Sequence, residues 1–346
     1  MTLSNPTTLR IGVVGAGRMG RIHIENLLTM PRVQVTAVCT VVPSEIAWAT
    51  SVLTAPSALV TADFDTFLAL DSVDAVLLVT PTAFHKEQVL KALAAGKHVL
   101  CEKPLCGTPA DAWEVYSTSL TYPHLKVACA FPRRYGALFV DARARIANGE
   151  IGDIISIHSR TTDLYQNDEF LINYIKHSGG IFVDCNIHDI DICLYLLGRD
   201  AKPATAYATG TAVVFPQFDQ FGDVDDGMGL VSFEDRKTVF SLYGSRDNRH
   251  GHHSRTEIIG TKGRLLLNGQ PRLLQLDISD ENGTRMIGPK SHMEVFAPAF
   301  RLELEGFRDW ILDDVKPHFD LKDAAKAVSI GFALMESLRE NKVAQS

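Results

Sequence analysis

Three residue patterns in this sequence could do chemistry, two by moving protons and one by holding a phosphate. Asp184 and His188 stand four residues apart in the run SGGIFVDCNIHDIDICLYLL. On one continuous helix that spacing places both on a single face, about 5 to 6 Å apart at Cβ. A carboxylate beside an imidazole raises its basicity and sets its orientation, which is what a general base requires. Lys103 follows Cys101 and Glu102 and precedes Pro104, whose ring fixes the backbone next to the cation. Gly15, Gly17 and Gly20, with Arg18 and Met19 between the last two, have the G-x-G-x-x-G spacing. That spacing lets a backbone turn tightly, approach a pyrophosphate and pack helix against strand. No H-E-x-x-H occurs, and no metal is expected to take part.

Such residues act only if elements position them. Residues 9–14 form an apolar run of the buried parallel kind, and the glycines open a helix whose N–H groups and dipole face phosphates. Further strands are predicted at 33–40, 74–80, 97–100 and 126–130, with helical segments at 46–52, 63–69, 82–95 and 109–119. The alternation predicts a doubly wound parallel sheet with helices on both faces, a Rossmann α/β domain. Ligands bind at the carboxyl ends of such strands, so Lys103, just past the 97–100 strand, is placed beside a bound coenzyme. At the end of the second strand an Asp or Glu ordinarily holds the adenosine ribose. Cys39, Thr40, Val41 and Val42 stand there instead, and no Arg or Lys is adjacent to hold a 2′-phosphate. The choice between NAD and NADP therefore stays open, with Thr40 and Ser44 as hydrogen-bonding candidates.

Beyond residue 130 the pattern changes. A helix at 138–148 is followed by extended runs at 154–160, 206–214, 228–233, 238–243, 256–259, 264–267 and 273–278. Strands without intervening helices imply a C-terminal α+β domain on a large, mostly antiparallel open sheet, one face of which needs cover from helices or another subunit. Leu321, Ala325, Val328, Phe332 and Met335 make one apolar stripe on a long helix near the C-terminus. The expected organisation is a dinucleotide-binding domain over 1–130 and a substrate-binding and oligomerisation domain over 131–346.

Composition narrows the functional class. A chain of 346 residues with 46% hydrophobic and 22% charged residues suits a soluble, two-domain protein. Its net charge of -7 leaves no basic stripe for nucleic acid. No run of about eighteen apolar residues suggests a membrane span, and the opening MTLSNPTT lacks the features of a signal peptide. Six cysteines without C-x-x-C spacing read as buried free thiols, so a cytoplasmic protein is expected.

The segments GVVGAGRMGRIH, TPTAFHKEQVLKALAAGKHVLCEKPL and SGGIFVDCNIHDIDICLYLLG occur in an order and spacing that resembles the glucose-fructose oxidoreductase / inositol dehydrogenase / rhizopine catabolism (Gfo/Idh/MocA) family. A fourth segment, GSRDNRHGHHSRTEIIGTKGRL, is similar to its inositol dehydrogenase branch. The resemblance implies an NAD(P)-dependent oxidoreductase that interconverts a secondary alcohol and a ketone on a cyclic polyol or sugar, by hydride transfer to C4 of nicotinamide. It implies homodimers or homotetramers formed through the open sheet, and a cis peptide before Pro104. Carried over by position, it makes Lys103 the group that polarises or relays protons at the reacting hydroxyl, His188 the acid/base, and Asp184 the residue that orients His188. Gly15, Gly17, Arg18, Met19 and Gly20 would meet the pyrophosphate, and Thr40, Thr80, Pro81, His85 and Glu102 would line the coenzyme crevice. Arg160, Tyr174, Asn186 and His252 are candidates on the substrate side, and Arg134 is a candidate near the coenzyme. In the segment His250–His253, where inositol dehydrogenases tend to show an aromatic residue, this sequence has HGHH; His250, His252 and His253, with Arg246 and Arg255, face either a hydroxylated or acidic substrate or solvent. Two other functions fit the same segments: a regulator that senses the dinucleotide without turnover, and a redox-neutral glycosidase or epimerase that oxidises its substrate transiently.

Overall fold

A computed structural model describes residues 7–346 apart from 56, 167–168, 199–200, 236 and 274–275. The described chain divides into two compact units, one reaching to Tyr135 and including Pro298–Ala325, the other formed by Gly136–Ala297 and Lys326–Ser346.

In the first unit the elements run β1 (Leu9–Val14), α1 (Arg18–Leu28), β2 (Val33–Cys39), α2 (Pro43–Val52), β3 (Leu59–Thr61), α3 (Phe64–Leu68), β4 (Ala75–Leu78), α4 (His85–Ala94), β5 (His98–Cys101), α5 (Pro109–Ser119) and β6 (Val127–Cys129). All strand pairs are parallel, in the order β3-β2-β1-β4-β5-β6. The order reverses between β1 and β4, so the loops leaving those two strands diverge and open a crevice at the switch point. β4 is fully buried along its length, as an unbroken Ala-Val-Leu-Leu run demands. α2 starts three residues before the expected boundary, because Pro43 has the dihedral of a first helical position.

The second unit follows as α6 (Ala137–Ala147), β7 (Ile154–Leu164), α7 (Glu169–Ile175), α8 (Ile181–Asp184), α9 (Ile187–Leu197), β8 (Pro203–Thr211), β9 (Asp226–Phe233), β10 (Val239–Asn248), β11 (His253–Gly260), β12 (Arg264–Leu267), β13 (Asp277–Asp280) and β14 (Gly283–Met286). Two long helices, α10 (His292–Asp313) and α11 (Leu321–Glu340), and a short β15 (Ala344–Gln345) complete the chain. Its large sheet has the order β12-β11-β7-β10-β9-β8-β15; only β7 and β10 pair in parallel. Of the strand expected at 273–278, residues 274 and 275 lie outside the described residues, and pairing with β14 begins at Asp277. One face of the sheet carries Ile157, Val231, Phe240, Leu242 and Ile258, all buried. Cβ atoms built on Gly227, Gly229 and Gly244 of that face would strike Phe182, Leu334 and Asn186, so α8, α11 and the start of α9 cover it. On the other face Tyr207, Met228, Leu230, Val239 and Leu266 are exposed.

A boundary near residue 130 would leave all of 131–346 in the second unit, and the structure corrects this. Leu304, Phe307, Leu312 and Phe319 are buried in one core with Leu9, Ile11, Val35, Leu77 and Leu100, so 298–325 belongs to the first unit. Gly306 lets α10 lie against Tyr135, whose ring would be 2.4 Å from a Cβ there. Arg134, a candidate for coenzyme contact, is buried in the same region: its Nη2 donates to Asp323 Oδ2 at 3.2 Å and Nη1 to the His318 carbonyl at 3.1 Å. Phe307 is 1% exposed, so Phe307→Ala should cost about 3–5 kcal/mol by urea unfolding. A loss under about 1 kcal/mol would show that the segment contributes no core to the first unit.

Candidate active site

In the first unit the glycine turn has the contacts its spacing predicts. Gly15 has φ +92°, and a Cβ there would stand 2.6 Å from the Val79 carbonyl oxygen at the end of β4. A Cβ on Gly20 would lie 2.2 Å from the Gly15 carbonyl oxygen, so α1 can sit against the turn only without a side chain there. Gly17, the cap of α1, faces open space apart from one atom, Glu45 Oε1, 3.3 Å from its built Cβ. The turn is therefore closed on strand and helix but open over Gly17, which fits a dinucleotide pyrophosphate at the start of α1. Arg18 is exposed and Met19 half-buried at the first positions of that helix. Thr40 Oγ1 donates to Glu45 Oε2 at 2.5 Å, and the same oxygen accepts from Ala16 N–H at 3.1 Å. Glu45 was not singled out from the sequence, because it lies beyond the strand end where a ribose-binding acid is sought.

Around Lys103 the chain is tied from three directions. The Lys103–Pro104 peptide is cis. Glu102 accepts from His23 Nε2 on α1 at 2.7 Å and from the Lys103 backbone N–H at 3.1 Å. His85 places Nδ1 2.8 Å from the Pro104 carbonyl and Nε2 2.8 Å from the Thr80 carbonyl. It is 1% exposed and burial lowers its pKa, so the ring is neutral and its single N–H donates to one of these two carbonyls while the ring packs between them. His85 and Glu102 thus hold the backbone on either side of Lys103, while Thr80 Oγ1 donates to Gln88 at 2.5 Å and exposed Pro81 starts the following turn. Burial alone would raise the Glu102 carboxyl; the His23 hydrogen bond and the charges of His23 and Lys103 outweigh it and hold the group below its usual value.

In the second unit the expected single helix through Asp184 and His188 is two helices. Asp184 ends α8 and His188 lies in the first turn of α9. At the break the Asn186 N–H reaches back five residues to the Ile181 carbonyl at 3.0 Å, a wide turn of the kind that interrupts helices at functional positions. The spacing of four therefore does not impose the one-face geometry of a regular helix. Asp184 accepts from Tyr174 Oη at 2.5 Å and from Arg246 Nη2 at 3.1 Å. Burial opposes charge on Arg246, but Asp184, Asp223 and Asp163 keep its pKa above the usual value. Near this group His252 Nδ1 is 2.9 Å from Asp163 Oδ1, and Cys185 Sγ donates to Asp163 Oδ2 at 3.7 Å.

The remaining substrate-side candidates separate. Asn186 is fully buried and donates to Asp189 Oδ2 at 2.8 Å and to the Tyr243 carbonyl at 3.1 Å, so it secures the break between α8 and α9. Arg160 pairs across the sheet with Tyr243 and Arg255, on the face opposite to Ser159, Gly244 and Arg246. There it donates to His253 Nδ1 at 3.1 Å, away from Asp184. The same alternation divides the histidine run: His252 turns to Asp163, His253 to Arg160, and His250 is exposed. A cleft of about 810 Å³ between Ile146, Leu197 and Phe233 contains none of these residues.

Residues 9–122 match the family model described as the oxidoreductase family with an NAD-binding Rossmann fold, and residues 139–266 match the GFO/IDH/MocA C-terminal domain. The scyllo-inositol 2-dehydrogenase (NAD(+)) of Bacillus subtilis is 31% identical over 342 residues, 97% of this chain and 96% of that protein. Myo-inositol 2-dehydrogenase of Thermotoga maritima is 29% identical over 96% of this chain and 97% of its own length. Scyllo-inositol dehydrogenase from Lactobacillus casei, solved with NAD(H) and scyllo-inositol, superposes with a TM-score of 0.91 at 31% identity, covering 98% of this chain and 99% of that one.

Because its value lies below the usual 4.5, ionised Glu102 contributes stability above that pH and loses it as the pH falls through the depressed value. Melting temperatures taken from about pH 6 down to about pH 3 should fall less steeply in Glu102→Gln than in the wild type. Parallel curves would show that the His23 contact adds no pH-dependent stability.

Proposed function

The chain belongs to the GFO/IDH/MocA oxidoreductase family, and from that premise we propose that it is an NAD-dependent dehydrogenase interconverting a secondary alcohol and a ketone on a cyclic polyol of the inositol class. The observation that carries this reading is the glycine turn, closed against Val79 and open over Gly17, on a chain alignable end to end with inositol dehydrogenases. When bound there, the coenzyme supplies the hydride acceptor at its nicotinamide ring. The residues supply the rest. A carbinol carbon gives up hydride only as its hydroxyl proton is withdrawn. His188 takes that proton, Lys103 stabilises the developing oxyanion, and Asp184 orients the base. Tyr174 and Arg246, bonded to the two oxygens of Asp184, hold that carboxylate in place.

Mixing the protein with NAD and a panel of inositols, while following reduced nicotinamide by absorbance, tests the proposal. Dinucleotide binding without reduction would point to a sensor, and products of unchanged oxidation level with retained coenzyme to a redox-neutral enzyme. Lys103→Ala should cut turnover by about 10²- to 10⁴-fold with NAD binding nearly intact, and near-normal turnover would refute the role given to Lys103.

The protein is further proposed to work in the cytoplasm as a homodimer or homotetramer. Six free, buried thiols suit a reducing compartment. Tyr207, Met228, Leu230, Val239 and Leu266 give the outer sheet face the apolar character of a surface that a second copy covers. Leu230→Lys should lower the mass seen by sedimentation; an unchanged oligomer would place the interface elsewhere.

A further inference from the structure

We infer that Glu45 is the residue by which this chain reads the adenosine ribose, replacing the acid absent from the end of β2 and setting preference for NAD over NADP. The inference rests on the coenzyme reading above. Thr40 occupies the strand-end position, but its hydroxyl is not offered to a ligand: its proton is directed at Glu45 Oε2, 2.5 Å away. The backbone N–H of Ala16, inside the glycine turn, donates to the same oxygen at 3.1 Å. Those two donors pin the carboxylate between the end of β2 and the turn. They leave Oε1 3.3 Å from the position of a Cβ on Gly17, the nearest atom to that position outside the neighbouring residues.

The second glycine of the fingerprint is where a dinucleotide's backbone approaches the turn, with the ribose next to it toward β2. A carboxylate oxygen at that point accepts a hydrogen bond from a ribose hydroxyl. The same charge repels a 2′-phosphate, which would have to enter beside it with no Arg or Lys at 39–44 to offset the repulsion. The acid has moved five residues along the chain, from the strand end into the first turn of α2. Thr40 is the bridge that returns it to the ribose side, and an Asp at position 40 would place two carboxylates on one spot.

Equilibrium titration of the full-length protein with NAD and with NADP, separately, tests this without depending on turnover. Glu45→Gln keeps a hydrogen-bond acceptor and loses the charge; it should weaken NAD binding by about tenfold and narrow the preference over NADP. Glu45→Arg should invert the preference. Thr40→Val, which frees the carboxylate from its anchor, should weaken NAD binding by a smaller factor. Thermal melts without coenzyme show that each variant is folded, and the Thr40→Val arm stands if a charge variant is not. An unchanged NAD-to-NADP affinity ratio in every folded variant overturns the assignment. A wild type that binds neither dinucleotide overturns it together with the coenzyme reading. Loss of polyol oxidation with the ratio shifts intact would sink only the proposed reaction and leave the role of Glu45 supported.

Discussion

A peptide plane cannot rest on another peptide plane when a β-carbon stands between them, and the first unit is arranged around that limit. Where β1 gives way to α1, the chain doubles back closely enough that Gly20 touches the Gly15 carbonyl and Gly15 touches the Val79 carbonyl. Any side chain at either point would push the helix from the strand and close the space over Gly17. The topology serves the same contact. Only at the reversal of strand order do the loops from β1 and β4 part, so the turn gains a close neighbour on one side and open space on the other.

Around that contact, buried charges are used to hold backbone rather than to face solvent. Glu102 joins α1, through His23, to the backbone N–H of Lys103, and His85 spans two carbonyls at the ends of β4 and β5. Each removes freedom from the segment that carries Lys103. In the second unit Asp184 is fixed between Tyr174 and Arg246, and Arg246 in turn stands among Asp184, Asp223 and Asp163. A buried guanidinium surrounded by carboxylates is held in one place by all of them, and so is the Asp184 that it faces. Orientation of the α8–α9 break falls to Asn186, which binds the backbone of β10 and the side chain of Asp189.

Much of this could be read from local pattern. The strand-glycine-helix run at 9–28, the six-strand alternation and the helix at 109–119 have short-range causes: apolar runs, turn residues and a proline after the Thr108 cap. The Glu102-Lys103-Pro104 turn was legible for the same reason, since a strand end followed by proline fixes its own geometry. Glu45 was not, because its importance comes from a hydrogen bond to Ala16, 29 residues earlier. Arg160 and Arg246 looked alike as cations near a polar site, yet strand pairing sends them to opposite faces of one sheet.

The sequence by itself determined which backbone could form a dinucleotide turn, that a parallel sheet precedes a mostly antiparallel one, and which side chains have acid-base character. These follow from steric limits and from periodicities of two and 3.6 residues, which act within a few positions. Tertiary structure alone decided that 298–325 packs into the first core, that the Asp184-to-His188 segment is broken at Asn186, and which histidine of the run meets Asp163. Those outcomes depend on strand register and on partners far away in the chain, and a one-residue change of register would have reversed every face without altering the local pattern.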